Sequence, residues 1–298
     1  NKLKKNIIIS NQNFANVATI ISLNKLRRIK KILIERNHLD ELKYYNNIKD
    51  YIKKKIILFL IRIYYSKSDA VVGISKKLSI DLKNYINSKV ITIYNPSLEE
   101  NIIRNNKVKK IDIKNSKKII LNVGFFEKQK DQMTILKSIN LLKNYYKNFL
   151  LILVGRGSEY DSLKNYISKN NLKKYTKIYE KVENPKIFYK KADLFVLSSI
   201  YEGLGNVLVE ALKNRCPIIT SSCNSGPMEI IDNGKYGDYF LPKDYKSLSK
   251  KIFNHFKNPK RLKRKSKDSY NHINKFSLKK NISEFNKLFA KIWLINYF

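Results

Sequence analysis

Acidic side chains are scarce in this chain: 24 Asp and Glu stand against 61 Lys and Arg, a formal net charge of +37. The lysines are dispersed, and Lys, Asn, Ile and Tyr are abundant together, as an AT-rich coding sequence writes tolerant surface positions. No arginine-rich arm, zinc-finger spacing or aromatic RNA-binding motif accompanies the charge. Nucleic acid is therefore not an expected partner, whereas an anionic membrane surface is a candidate one. Cysteine is scarcer still, at two residues. Cys216 and Cys223 fall in or beside an apolar segment and read as inert core thiols of a reducing compartment. With three scattered histidines, His38, His255 and His272, they make no recognisable zinc site. Long apolar runs are also missing: none reaches the roughly 18 residues that a spanning helix needs. The nearest, residues 51–67, has an arginine inside and lysines and tyrosines at its ends. It reads as a core helix with basic ends, in preference to one lying in a membrane interface.

What is present is alternation. Apolar, strand-like runs at 6–10, 30–35, 70–75 and 90–95 are separated by helical patterns. A polar stretch without clear period, 99–118, reads as a linker. A second series follows at 119–124, 149–155, 175–180, 193–199, 217–222 and 237–242, and from about 244 the pattern is helical. Strands alternating with helices argue for an α/β protein with parallel sheets covered on both faces. The expected organisation is a first unit over 1–98, a second over 99–276, and a last helix, 277–298, packing back on the first. The chain begins at Asn1, directly before a strand, and part of the first domain is expected to lie outside this sequence.

Glycine occurs only nine times, so its placement is informative. Gly124, Gly155, Gly157, Gly203 and Gly205 all follow expected strand ends of the second unit, the edge where open α/β sheets bind ligands. In "SSIYEGLGNVLVEALKNRCPII", residues 198–219, a strand end is followed by Glu202, two glycines and an apolar helix carrying Glu210. A helix starting near Gly205, with Asn206 as its expected N-cap, presents free N–H groups to a phosphate. Two carboxylates beside a phosphate would repel it, unless they accept hydrogen bonds from sugar hydroxyls. A phosphate site flanked by hydroxyl acceptors describes a nucleotide sugar. Upstream, Lys128 and Lys130 follow the turn at Gly124, where a lysine neutralises a leaving diphosphate as a point charge.

Four stretches, "NVGFFEKQKD", "LILVGRGSEYDSL", "ENPKIFYKKADLFVLSSIYEGLGNVLVEAL" and "CNSGPMEIIDNGKYGDYF", resemble in order and spacing the nucleotide-binding domain of family 4 retaining glycosyltransferases. The resemblance covers residues 117–242, and "AVVGISKKLSIDLKNYI" is less distinctively similar to the end of the family's N-terminal domain. It implies the GT-B fold, two Rossmann-like domains with the donor in the cleft between them. It also implies that Glu202 contacts the donor sugar and Glu210 the ribose, and that backbone from Gly203 through Leu204, Gly205 and Asn206 to Val207 holds the diphosphate. Gly124 and Lys130 would face the diphosphate, the segment Val182–Asn184 the base, and His38 the donor sugar. No metal or other cofactor is implied. The implied activity is transfer from a nucleotide-diphosphate sugar, UDP preferred to GDP, to a glycan or lipid-linked acceptor in surface polysaccharide synthesis. A cytoplasmic location is expected, and the basic surface and the 51–67 helix would suit the inner face of the cytoplasmic membrane. Phe125 departs from the pattern, because the family places arginine directly after the first glycine. The departure leaves a catalytically weak nucleotide-binding relative as the alternative, with a basic nucleic-acid binder behind it.

Overall fold

The computed structural model describes residues 6–26, 28–98, 117–180, 182 and 185–294. The first unit alternates β1 (Asn6–Asn11), α1 (Asn13–Leu23), β2 (Ile29–Glu35), α2 (Ile48–Tyr64), β3 (Ala70–Gly73), α3 (Lys76–Ile86) and β4 (Val90–Thr92). Its four strands are parallel, in the order β1-β2-β3-β4. The second unit runs β5 (Lys118–Val123), α4 (Gln132–Leu142), β6 (Phe149–Val154), α5 (Tyr160–Lys169), β7 (Thr176–Tyr179), α6 (Lys186–Lys191) and β8 (Leu194–Leu197). It continues through α7 (Asn206–Lys213), β9 (Ile218–Ser221), α8 (Gly226–Ile230) and β10 (Asp238–Phe240). Its six strands are also all parallel, in the order β10-β9-β8-β5-β6-β7. Helices α9 (Tyr245–Lys257), α10 (Lys260–Asp268), α11 (Tyr270–Ile273) and α12 (Leu278–Leu294) follow.

Each expected strand run overlaps one of these strands. Alternate residues leave opposite faces of the second sheet: Ile119, Leu121 and Ile152 enter one apolar cluster, Ile120, Leu151 and Leu153 the other. Burial on both faces is why these strands read as continuous apolar runs. The first cluster continues into the first unit through Ile32, Ile34 and Val72, so the two units share a core. Ends differ where caps intervene. β3 stops at Gly73 because Ser75 turns out of the strand, and its Oγ accepts from Leu78 N at 3.3 Å to cap α3. The expected linker lies outside the described residues apart from 117 and 118.

The run 51–67 is not a simple core helix. α2 buries Ile57 and Ile61 against Val17, Leu33 and Val71, yet it leaves a second apolar face uncovered, with Ile52, Ile56 and Phe59 exposed. At the other end of the chain, α12 runs beside the first unit. Asn281 Nδ2 donates to Tyr94 O at 2.7 Å, and Leu288 and Ile292 join the cluster that Val90 and Ile91 pack against.

Specific contacts tie the units together. Glu229 of α8 accepts from Lys76 N and Lys77 N at 2.9 and 2.8 Å, so a carboxylate of the second unit caps α3 of the first. Ser75 and Ser225 share a buried hydroxyl pair at 2.7 Å, and Tyr44 stacks on Tyr201 with ring centroids 5.2 Å apart.

Candidate active site

The order of the second sheet reverses between β5 and β8, and such a reversal opens a crevice at the carboxyl ends of the strands. The loops leaving β5 and β8 meet there. Ile200 N donates to Gln129 O at 2.8 Å, Gln129 Nε2 to Tyr201 O at 2.9 Å, and Ser198 Oγ to Lys130 O at 2.8 Å. This stitching places Lys130 Nζ 2.6 Å from Glu202 Oε1. Ser199 Oγ donates to the same oxygen at 2.7 Å. Both groups border a cleft of about 530 Å³ between the units.

Two glycines allow the loop to close. A Cβ on Gly203 would lie 1.7 Å from Arg36 O, so only glycine lets the first unit's backbone approach this closely. Gly205 has φ +88° and occupies the N-cap of α7. Asn206, the expected N-cap, is instead the first helical residue, and its Oδ1 accepts from Ser97 Oγ at 2.8 Å. The cap is a backbone feature, which leaves the first N–H groups of α7 without a capping side chain.

Gly124, Lys130, Val182, Glu202, Gly203, Leu204, Gly205, Asn206 and Val207 all line the cleft, as does the exposed Phe125. Of the segment expected at the base, Val182 is described, and Glu183 and Asn184 lie outside the described residues. Glu210 is not among the lining residues. It lies one turn beyond Val207 on α7, half-buried beside Tyr189. Burial first, and the Glu210 carboxylate next, hold the Tyr189 phenol above its usual range. His38 also stands off the cleft. Its buried ring lies between Asp81, with Nε2 at 2.7 Å from Oδ2, and Asp40, whose backbone N donates to Nδ1 at 3.2 Å. It caps a single 3-10 turn, Leu39–Lys43, while its neighbours Arg36 and Asn37 face the cleft.

Arg36, Asn37 and Gln12 are cleft residues that the sequence did not single out. All follow carboxyl ends of first-unit strands, and that position is the signal that would have found them. Gln12 also carries φ +74°, an uncommon conformation for a side-chain-bearing residue and one that concentrates at functional sites. Arg36 from the first unit and Arg156 from the second bring two more cations to the cleft where Phe125 supplies none. Lys128 does not line it, and its Nζ reaches Asn46 Oδ1 at 3.5 Å. The thiols are buried as expected. Burial, followed by the charge of Glu202, pushes Cys223 up to about 12, and burial raises Cys216 as well.

Among solved structures, a point mutant of Staphylococcus aureus TarM in complex with UDP, fondaparinux and α-GlcNAc-glycerol superposes with a TM-score of 0.74 at 18% identity. The match covers 95% of this chain and 55% of that one. The architecture is therefore GT-B. In sequence, the chain is 28% identical over 252 residues to an uncharacterized glycosyltransferase of Methanocaldococcus jannaschii, 77% of this chain and 59% of the relative. It is also 28% identical over 194 residues to the N-acetylgalactosamine-N,N'-diacetylbacillosaminyl-diphospho-undecaprenol 4-alpha-N-acetylgalactosaminyltransferase of Campylobacter jejuni, 64% of this chain and 51% of the relative. The matches thus span little more than half the length of these relatives. The family described as Glycosyl transferases group 1 matches residues 103–272, more than half of the chain and all of the cleft's second wall, and the chain belongs to that family.

Proposed function

We propose that this chain carries the donor site of a retaining glycosyltransferase that uses a nucleotide-diphosphate sugar, with UDP favoured. The observation that carries the reading is the Lys130–Glu202 pair, 2.6 Å apart beside the N-terminus of α7 at the sheet's switch point. The diphosphate lies over the α7 N-terminus with Lys130 beside it, and Arg36 and Arg156 add positive potential. Glu202 accepts hydrogen bonds from hydroxyls of the transferred sugar. Val182 and Pro185 border the base, and Glu210, one turn along α7 from Val207, takes the ribose hydroxyls.

In the transfer, an acceptor oxygen bonds the anomeric carbon from the face that the diphosphate leaves. The bond to the diphosphate breaks with its electron pair on the phosphate oxygen, which takes the acceptor's proton. Lys130 and the oriented N–H groups stabilise that developing charge without a required metal. The acceptor is a glycan or a lipid-linked glycan of surface polysaccharide synthesis, and the name of the Campylobacter relative supports that class.

The exposed Phe125 in the cleft favours a second reading, donor binding without turnover. Release of UDP from a panel of UDP-sugars, with polyprenyl-diphosphate-linked saccharides as acceptors, separates the two. Turnover that drops by about 10²–10³ in Lys130→Ala supports the enzyme. UDP binding with no release from any donor supports the second reading.

A further inference from the structure

α2 is apolar on two opposite faces. Ile57 and Ile61 point into the protein, while Ile48, Ile52, Ile56, Phe59 and Ile63 recur at spacings of four, four, three and four residues. At 3.6 residues per turn these five form one stripe on the outward face. They are 69%, 51%, 52%, 62% and 39% exposed, far more than a packed helix leaves to water. Phe14 of α1 extends the patch, and a shallow apolar depression runs between it and Ile52, Ile56 and Ile57.

The borders of the stripe are cationic. Lys49 and Lys53 flank one side, Lys55 and Arg62 the other, and all four are exposed. Lys53 Nζ sits 4.6 Å from the centre of the Phe14 ring. The helix's only carboxylate, Asp50, is on the side of the buried residues and paired with Lys54 at 3.1 Å. An outward apolar stripe with lysine and arginine on both edges matches an interface whose apolar interior lies under a layer of negative charge. A protein partner would need acidic residues on both sides of an apolar ridge, whereas an anionic bilayer meets both requirements at once.

We infer that the outward face of α2, with Phe14, docks this protein on an anionic phospholipid bilayer. The patch ends close to the cleft: Phe14 is two residues beyond Gln12, which lines it. Docking on this face holds the β1–α1 edge of the cleft near the membrane surface, where a lipid-linked acceptor presents its sugar. That consequence rests on the function proposed above, but the docking itself does not.

Flotation with vesicles of phosphatidylcholine alone, or mixed with phosphatidylglycerol, tests it without any turnover. The wild-type chain floats with the anionic vesicles, less so as salt rises, and stays behind with the neutral ones. Ile56→Ser with Phe59→Ser, and separately Lys49→Gln, Lys53→Gln and Lys55→Gln together, each reduce the bound fraction by about tenfold or more. A circular-dichroism spectrum and a cooperative thermal melt equal to wild type show that the variants are folded, and none of these residues lines the cleft. Equal flotation of wild type and both variants overturns the inference. So does a dimer in solution that the Ile56→Ser, Phe59→Ser variant dissolves, since the stripe is then covered by a second copy.

Discussion

Lys130 Nζ and Glu202 Oε1 are 2.6 Å apart, and the carboxylate is almost wholly buried while the ammonium keeps an edge on the cleft. Glu202 holds the lysine at the place where a leaving diphosphate would develop charge. In return, Lys130 neutralises a carboxylate oxygen that otherwise accepts from Ser199 Oγ at 2.7 Å. Lys130→Ala therefore acts twice. UDP affinity falls, and the stranded Glu202 lowers stability by roughly 1–3 kcal/mol. Calorimetric titration and thermal melting of the same sample read both effects.

Gly203→Ala tests the closure of the cleft. The new methyl group would meet the Arg36 carbonyl, which is backbone and cannot rotate away. The two units must then separate, and a displacement of about an ångström at a positioned site costs up to about 10² in function. The expected result is a larger radius of gyration in X-ray scattering together with weaker UDP binding.

Phe125→Arg tests the departure from the family pattern. Phe125 is 65% exposed and lines the cleft, so the exchange changes stability by about 0.5 kcal/mol or less. A guanidinium beside the diphosphate contributes a charge-assisted hydrogen bond of roughly 1.5–3 kcal/mol. Titration should show UDP bound at least about tenfold more tightly than by wild type.

Glu35 makes stability depend on pH. It ends β2 with its carboxyl buried, accepting from Asn16 Nδ2 at 2.9 Å and from the Tyr65 hydroxyl. Burial outweighs these bonds and raises it from 4.5 to about 7. The folded state thus holds the proton more tightly than the unfolded chain. Its contribution is complete below pH 4.5, fades as pH rises through about 7, and is then absent, a loss of about 3 kcal/mol. Glu35→Gln keeps the acceptor for Asn16 and Tyr65 and removes the titration. Melting temperatures of both proteins across this window should converge at the acid end, with the variant the more stable above pH 7.

The strands were legible because parallel strands are buried on both faces, so runs such as "FLLILV" carry an unbroken apolar signal. The second wall of the cleft was legible for a related reason. Glycines, Lys130 and Glu202 sit at fixed offsets from strand ends and line the cleft, whereas Glu210 does not, and Gly203 and Gly205 are required by backbone geometry. Contacts between units left no such trace. Arg36 faces the cleft because Gly203 packs on its carbonyl, and Glu229 caps α3 from more than 150 positions away. The place of Arg36 just after a strand end is a faint sequence signal of its role, and nothing near Glu229 marks its own. The stripe on α2 was hidden differently. One apolar segment supplies both a core face and an exposed face, and composition does not separate them.

Binding of a nucleoside diphosphate in the cleft beside Lys130 and Glu202 is the property on which the proposed function stands. Calorimetric titration of UDP and GDP into wild type and Lys130→Ala tests it most directly. Saturable binding of one nucleotide at one site is expected, weakened in the variant while the protein stays folded. No heat with either nucleotide in a folded wild-type protein, or binding that Lys130→Ala leaves unchanged, would contradict it.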